Sequence, residues 1–378
     1  MNVLIISYHT SPFGEVGFND AGGLNTYLAN TAKFLSEKCN LTIVTGEASD
    51  NFSSKNIKLL SQQLFKKEAL MEEKINLREE FEANLETSIE FSNIDIVHSH
   101  YWLSGLIGDK ISKKYNIPHI FTAHSYGEFL QLDIYLRTKS EKNIIQDATR
   151  VTASSKYEES LLTKKYDCKV NDISTITPGL DNELFFKKEN ERRNKILSIG
   201  RIQEQKGQKE IIQLFEIIEK QIPDTELYFI GGPSGNDGRE YLDQLKHYVV
   251  SQNLEDKVKF VGALSPEEIV KQLNSSKLLV HNSQFETFGL VAIEANACGI
   301  PVVSSNTNTL SEIIENDING YLSDSLFDEG VIDFILKVLS SESYFENVSD
   351  QSVKAVEKFN WETTADKIYD LYQEVKFS

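Results

Sequence analysis

The sequence predicts an α/β protein built as two doubly wound αβα domains. The length of 378 residues suits two cores of roughly 150 to 200 residues each. In both halves, short apolar runs alternate with helical stripes, the pattern of strands joined by crossover helices in a parallel sheet. A highly charged stretch, Lys187 to Asn194, follows the break at Thr177-Pro178-Gly179 and reads as the linker. The expected boundaries are an N-terminal domain over 1–180, a C-terminal domain over 181–360, and a last helix over 361–378, opened by Trp361 and returning towards the first domain.

Composition narrows the class. Hydrophobic residues make up 40% and charged residues 25% of the chain, both ordinary for a globular protein. A formal charge of −18 argues against nucleic acid or an anionic membrane as partner, because either surface would repel it. An anionic ligand must therefore be held by a few locally placed cations. Cys39, Cys168 and Cys298 are far apart and odd in number, which gives neither a disulfide framework nor a zinc spacing and fits a reduced cytoplasm. The first apolar run, Val3 to Ile6, is too short and lacks the basic flank of a signal peptide. No run approaches the ~18 apolar residues of a membrane span.

In the first half, Val3 to Ser7 reads as a buried strand. The loop from His9 leads through Asp20-Ala21-Gly22-Gly23 into a helical stripe at Leu24, Leu28, Phe34 and Leu35, and Leu41 to Thr45 is a second strand. A glycine pair between a strand and a helix start suits an anion, although a plain tight turn fits it equally. Residues 66–90 are expected to form a solvated helix, too acidic for a membrane surface. Strands at Ile94 to Val97 and Ile117 to Thr122 run into His98-Ser99-His100-Tyr101 and Ala123-His124-Ser125. Four of the seven histidines, His9, His98, His100 and His124, thus stand at strand ends, where ligands gather in open parallel sheets. A lone histidine there is more often a hydrogen-bonded core group. His98-x-His100 lacks a carboxylate or Cys at ligand spacing, so no metal site is expected. Arg137 opens a helix through Ile144 and Ile145, and strands follow at Arg150 to Ala153 and Ile173 to Ile176.

The second half restarts with the strand Ile196 to Gly200 and a turn from Arg201 to Lys206-Gly207 that enters a helix. Two cations beside a helix N-terminus could neutralise a diphosphate; a solvated charged loop is the plainer alternative. Strands at Leu227 to Ile230 and Val258 to Val261 each end in glycine, and Val302 to Ser304 is a further strand. The run Leu278-Leu279-Val280 leads into residues 285–301, where Leu290, Ile293, Glu294 and Ala297 fall at helical spacing. The turn Thr287-Phe288-Gly289 leaves N–H groups without helical partners, and Gly289 allows close approach. Glu286 and Glu294 could accept bonds from sugar and ribose hydroxyls, or simply decorate an amphipathic helix. No Gly-x-Gly-x-x-Gly follows the first strand of either half, which weighs against a dinucleotide dehydrogenase.

Several motifs together decide between these readings. His9-Thr10-Ser11-Pro12, Asp20 to Tyr27, Val97 to Gly105, Gly200-Arg201-Ile202-Gln203 with Lys206, Gly231 to Gly235, and Glu286 to Glu294 resemble the retaining GT-B glycosyltransferases, family 4. Within that family the chain is most similar to the D-inositol-3-phosphate glycosyltransferases and less closely to sucrose-phosphate synthase. The resemblance implies a GT-B fold, two Rossmann-like domains facing across a cleft. It implies a metal-independent retaining transfer of glucose or N-acetylglucosamine from a UDP-sugar, with no cofactor, to a small phosphorylated polyol or sugar such as inositol phosphate. The catalytic set would be His124, Glu286, Arg201 and Lys206. Gly22, Gly23, Arg201, Lys206, Val261, Phe288, Gly289, Leu290 and Glu294 would bind the donor. His9, Asp20, Asn25, Lys67, Tyr101, Ser125 and Arg137 would receive the acceptor. A homodimer is compatible with this reading. Two departures stand out: Thr307-Asn308-Thr309 replaces the family's usual Gly-Gly loop, and a lysine- and asparagine-rich composition suggests another acceptor. The rival readings are transfer to fructose 6-phosphate, a GDP-mannose-dependent lipid or polysaccharide mannosyltransferase, and a non-catalytic nucleotide-sugar sensor.

Overall fold

The computed structural model describes residues 1–13, 22–127, 134–235, 237–305 and 308–377. Asp20 and Thr307 therefore lie outside the described residues. The described chain divides into two compact units, the first containing residues 1–13, 22–127, 134–179 and 361–377, the second residues 180–235, 237–305 and 308–360. Each is a doubly wound α/β unit.

The first unit's strands are β1 (Asn2–Ile6), β2 (Asn40–Glu47), β3 (Phe52–Ser53), β4 (Ile57–Phe65), β5 (Ile96–His100), β6 (His119–Thr122), β7 (Arg150–Ala153) and β8 (Ile173–Thr175). They lie in the order β3-β4-β2-β1-β5-β6-β7-β8, parallel throughout except for the antiparallel β3–β4 pair. Val3 pairs with Leu41 on one side and Ile96 on the other. From β1 the chain winds outward first through β2 and then, on the opposite side, from β5. The β1/β5 boundary is thus the switch point, where helices leave in opposite directions and open a crevice.

The second unit contributes β9 (Lys195–Ile199), β10 (Glu226–Ile230), β11 (Val258–Gly262), β12 (Leu278–His281), β13 (Val302–Ser304) and β14 (Gly320–Leu322). Their order is β11-β10-β9-β12-β13-β14, all parallel, with the switch at β9/β12. Successive strand residues face opposite layers: Ile196 and Leu278 belong to one apolar core with Ile211 and Phe215, Leu197 and Leu279 to the other with Ala292 and Ile293. Burial on both faces explains why these strands read as unbroken apolar runs.

Three features differ from expectation. β3, β4 and β14 were not legible: the β2–β4 register shifts between Thr45 and Glu47 and Gln63 takes a positive φ of 53°, which breaks the alternation of β4, while β3 and β14 are two and three residues long. The 66–90 stretch is two packed helices, Met71–Asn76 and Arg78–Ser88, not one solvated helix, with Lys74, Phe81 and Leu85 buried. The helix that contains Arg137 begins earlier, at Ile134.

The C-terminal helix Trp361–Phe377 packs in the first unit against the helix Gly23–Leu35. Trp361 meets Tyr27 edge to face at 5.8 Å, the Thr364 hydroxyl donates to the Thr177 carbonyl at 2.9 Å, and the Tyr372 hydroxyl lies 2.6 Å from His98 Nδ1. His98 Nε2 is bonded to the Thr122 hydroxyl at 2.9 Å, so both ring nitrogens are engaged. Removing the tyrosine hydroxyl would strand a buried nitrogen, which costs about 1–3 kcal/mol. Tyr372→Phe is expected to lose stability in that range by denaturant unfolding, and a loss below about 0.5 kcal/mol, the scale of a neutral surface change, would show that the bond contributes nothing.

Candidate active site

In the second unit, polar groups gather at the β9/β12 switch point. After β9 the chain passes Gly200 and Arg201 into a short turn, Glu204–Lys206, and Gly207, at φ 61°, caps the helix Gln208–Glu219. After β12 the loop 282–289 lies alongside that turn. Gln284 N–H donates to the Gln205 carbonyl at 2.9 Å, and the Asn282 amide reaches the Gly207 carbonyl at 3.4 Å. A Cβ on Gly207 would come within 2.2 Å of that amide, so only glycine fits. The two loops meet at Lys206, whose Nζ is 2.6 Å from Glu286 Oε1 and 3.0 Å from Ser283 Oγ. His281 Nε2 approaches the same carboxylate oxygen at 3.0 Å. The Glu286 carbonyl accepts from the buried Thr309 hydroxyl at 2.6 Å, which fixes the loop from behind.

Burial works against the charge of Glu286, but the Lys206 ammonium and the His281 ring outweigh it and hold the carboxyl well below its usual range. Glu294 is the reverse case. It lies in the second turn of the helix Leu290–Ala297, and burial, aided by the Asp181 carboxylate, pushes it up to about 8. Gly289, at φ 96°, is the N-cap of that helix, whose first N–H groups have no intrahelical acceptor. Phe288 turns its ring into the core, edge to face with Phe359 at 5.5 Å, so only its main chain is available to a ligand. Arg201 is partly exposed, and its carbonyl accepts from Gln208 at 2.9 Å. Val261 stands apart from this cluster, exposed on the edge strand β11.

In the first unit, His9, Tyr101, Ser125 and Arg137 come together at the ends of β1, β5 and β6. The His9 and Tyr101 rings lie 4.1 Å apart. The Arg137 guanidinium sits 4.8 Å over the Tyr101 ring and donates to the Tyr101 hydroxyl at 3.1 Å, to the Ser125 hydroxyl at 2.9 Å and to the Ser125 carbonyl at 3.0 Å. Its Nε donates to Glu141 at 2.6 Å. Both hydroxyl oxygens accept from the cation, so their hydrogens, with one remaining Arg137 N–H, are available to an anion. Asn25 is fully buried, its amide bonded to the Thr10 hydroxyl and the Ser11 carbonyl at 2.9 and 2.6 Å. Its carbonyl oxygen takes the Gly22 N–H at 3.3 Å, and Gly23 is the first helical residue. Lys67 lies farther out, partly exposed, where it acts with Lys74 on the buried Glu47. Tyr101 and His124 hold positive φ values of 76° and 59°, a backbone cost of roughly 1–3 kcal/mol each that tends to cluster at functional sites.

His124 Nε2 is 2.9 Å from His100 Nδ1, and the His100 and His98 rings lie 4.1 Å apart at a tilt of 36°. Burial lowers His98 and His124 to about 3 and His100 well below its ordinary value. These rings are neutral at pH 7 and serve as hydrogen-bonding groups. Among the described residues, no three His, Cys, Asp or Glu side chains gather as a metal site, and no helix is long and apolar enough to cross a membrane. His281, Ser283 and Glu141 were not singled out in the sequence. The first two were detectable only by their place at a strand end, His281 closing β12 and Ser283 lying two residues beyond it.

Residues 181–355 match the family model described as glycosyl transferases group 1, and residues 21–184 the model described as Glycosyltransferase Family 4. With two doubly wound units and polar clusters at both switch points, the chain belongs to the GT-B glycosyltransferases. D-inositol 3-phosphate glycosyltransferases of Corynebacterium glutamicum and Paenarthrobacter aurescens are each 27% identical to it, covering 99% and 98% of this chain and 97% of each relative. The structure of sucrose-phosphate synthase from Thermosynechococcus elongatus superposes with a TM-score of 0.85 at 26% identity over 99% of this chain and 98% of that one. Anabaena HepE, solved in complex with UDP-glucose, shares the fold at a TM-score of 0.79 and 17% identity, over 99% of this chain and all of the other.

Glu294 gives a pH test. Its folded carboxyl holds its proton up to about pH 8, whereas an unfolded glutamate releases it near 4.3. Between those values the folded state binds more protons, so stability falls as pH rises. Glu294→Gln removes this dependence. The variant is expected to gain on the parent in thermal stability between pH 5 and 8, at about 2–4 °C per kcal/mol. Parallel stability profiles would refute the assignment.

Proposed function

We propose that the protein is a retaining glycosyltransferase that moves glucose or N-acetylglucosamine from a UDP-sugar to a small phosphorylated polyol or sugar, without an essential metal. The observation that carries this reading is Lys206, paired with Glu286 in the turn that follows Arg201 at the β9/β12 switch point. A donor diphosphate placed there takes over Lys206, Arg201 and the N–H groups at Phe288-Gly289-Leu290. These stabilise the charge that builds as the anomeric C–O bond to the diphosphate breaks. Glu286, kept ionised, grips hexose hydroxyls, and Glu294 accepts from the ribose diol. His124 donates to the hexose as a neutral ring.

The acceptor hydroxyl forms the new C–O bond on the face the diphosphate leaves, passing its proton to the departing phosphate oxygen. UDP leaves and the anomeric configuration is retained. Arg137, with the Tyr101 and Ser125 hydroxyls, receives the acceptor's phosphate, with His9 and Asn25 shaping the adjoining wall. Such a cation set answers the chain's charge of −18, and it fits relatives that are named for acting on inositol 3-phosphate. The likeness to sucrose-phosphate synthase supports fructose 6-phosphate as the second acceptor to test.

The test is a matrix of UDP-glucose, UDP-N-acetylglucosamine and GDP-mannose against inositol phosphate, fructose 6-phosphate and their unphosphorylated forms. Product is detected by mass, and anomeric configuration by proton NMR. The expected result is turnover of a UDP-sugar with a phosphorylated acceptor and retained configuration. Arg201→Ala should lower kcat roughly 10²- to 10³-fold, the usual loss when one charge-stabilising donor is removed. Near-parent turnover by that variant, or use of GDP-mannose alone, would overturn the proposal.

A further inference from the structure

Glu141 presents no exposed side-chain surface. It nonetheless accepts from Arg137 Nε at 2.6 Å, from the Gly127 N–H at 2.9 and 3.1 Å to its two oxygens, and from the Tyr166 hydroxyl at 3.3 Å. A buried carboxylate is costly even when paired, and an apolar side chain of the same volume is often no worse for stability. What a carboxylate supplies that an apolar group cannot is direction. The Nε bond fixes the guanidinium plane, so the two Nη groups point at Tyr101 and Ser125. The Gly127 bond fixes the main chain two residues beyond Ser125. One carboxylate thus holds both sides of the Arg137–Ser125 contact.

We infer that Glu141 is a positioning residue for anion recognition in the first unit: it orients Arg137 and the Ser125–Gly127 main chain so that one Arg137 N–H and the Tyr101 and Ser125 hydroxyls converge on a phosphomonoester. The inference rests on the acceptor reading above. Glu141 itself touches no ligand and acts only through Arg137 and the backbone. Glu141→Gln keeps the shape but sets its NH2 against a donor in either orientation: against Arg137 Nε–H, or, with the amide oxygen kept on Nε, against the Gly127 N–H that the second carboxylate oxygen accepts at 2.9 Å. Either way one side of the Arg137–Ser125 contact is released.

Calorimetric titration with inositol phosphate and with fructose 6-phosphate, on the full chain, tests this. The parent is expected to bind at least one of them, and Glu141→Gln to weaken that binding roughly 10- to 100-fold, by analogy with the partners that orient metal ligands. In an Arg137→Ala background the Glu141→Gln change should cost much less than in the parent, because the Arg137 route is gone and only the Gly127 main-chain route remains. Thermal unfolding identifies the folded fraction, and Glu141→Asp, which withdraws the carboxylate by one methylene, replaces Glu141→Gln if that variant does not fold. Parent-like binding by the folded variant, or a loss that adds in full to that of Arg137→Ala, would overturn the inference and leave Glu141 as a core ion pair. A parent that binds neither phosphate ester would remove the acceptor reading, and this inference with it, whatever the variants do.

Discussion

The organisation of both polar clusters follows from one constraint: positive charge has to be kept in place within a chain of net charge −18. A mobile lysine or arginine in such a chain has many carboxylates to choose from, and most surface pairs contribute little to stability. At each switch point the cation is tied by a single short contact, Lys206 to Glu286 and Arg137 to Glu141, both at 2.6 Å. The two ties differ in burial. Lys206 and Glu286 keep 22% and 18% of their side-chain surface exposed, whereas Arg137 and Glu141 keep 9% and 0%. The first pair can open to an incoming anion, since both partners reach solvent. In the second the carboxylate stays fixed, and only the far edge of the guanidinium is presented.

Backbone geometry brings these side chains within reach. In the second unit the loops after β9 and β10 continue to pair beyond the strands, Ile202 N–H donating to the Gly232 carbonyl at 2.9 Å. A Cβ on Gly231 would stand 2.0 Å from the Gly200 carbonyl oxygen, so the close approach of the two loops requires glycine there. In the first unit the equivalent turns are made by Tyr101 and His124, residues with full side chains at positive φ. That strain is sustained by well-packed surroundings: the Tyr101 N–H donates to the Thr122 carbonyl at 2.9 Å, and His124 is held against Tyr27 and His100.

How much of this could be read from the sequence depended on the length scale of each signal. Strands buried on both faces, such as Leu278–His281, announce themselves as apolar runs, and residues just past their ends were legible as a class; Arg201, Lys206, His124 and Tyr101 stand there. β4 was not legible because a register shift opposite Thr45–Glu47 interrupts its alternation. Glu141 was not legible for a different reason. Arg137 and Glu141 are spaced i, i+4, as are Lys113 with Asp109 and Lys337 with Asp333, which are solvated surface pairs. Only tertiary burial distinguishes the first from the others, and spacing carries no trace of burial. His281 closes its strand as the other site histidines do, but its contact with Glu286 is set by a loop whose course the sequence does not specify.

The histidines complete the electrostatic logic. An acidic protein could have balanced its charge with imidazolium groups at the strand ends, yet burial keeps His98, His100 and His124 neutral. A neutral ring offers one donor and one acceptor, and the chain from Tyr372 through His98 uses both. These rings can therefore orient a hydroxyl without attracting an anion. On the proposed reading attraction is left to the tethered cations, one set at each switch point, and the neutral rings orient a sugar without adding to the charge that attracts a phosphate. On that reading a change of sugar specificity can arise around the neutral rings without weakening anion binding, whereas loosening either carboxylate tether weakens it directly.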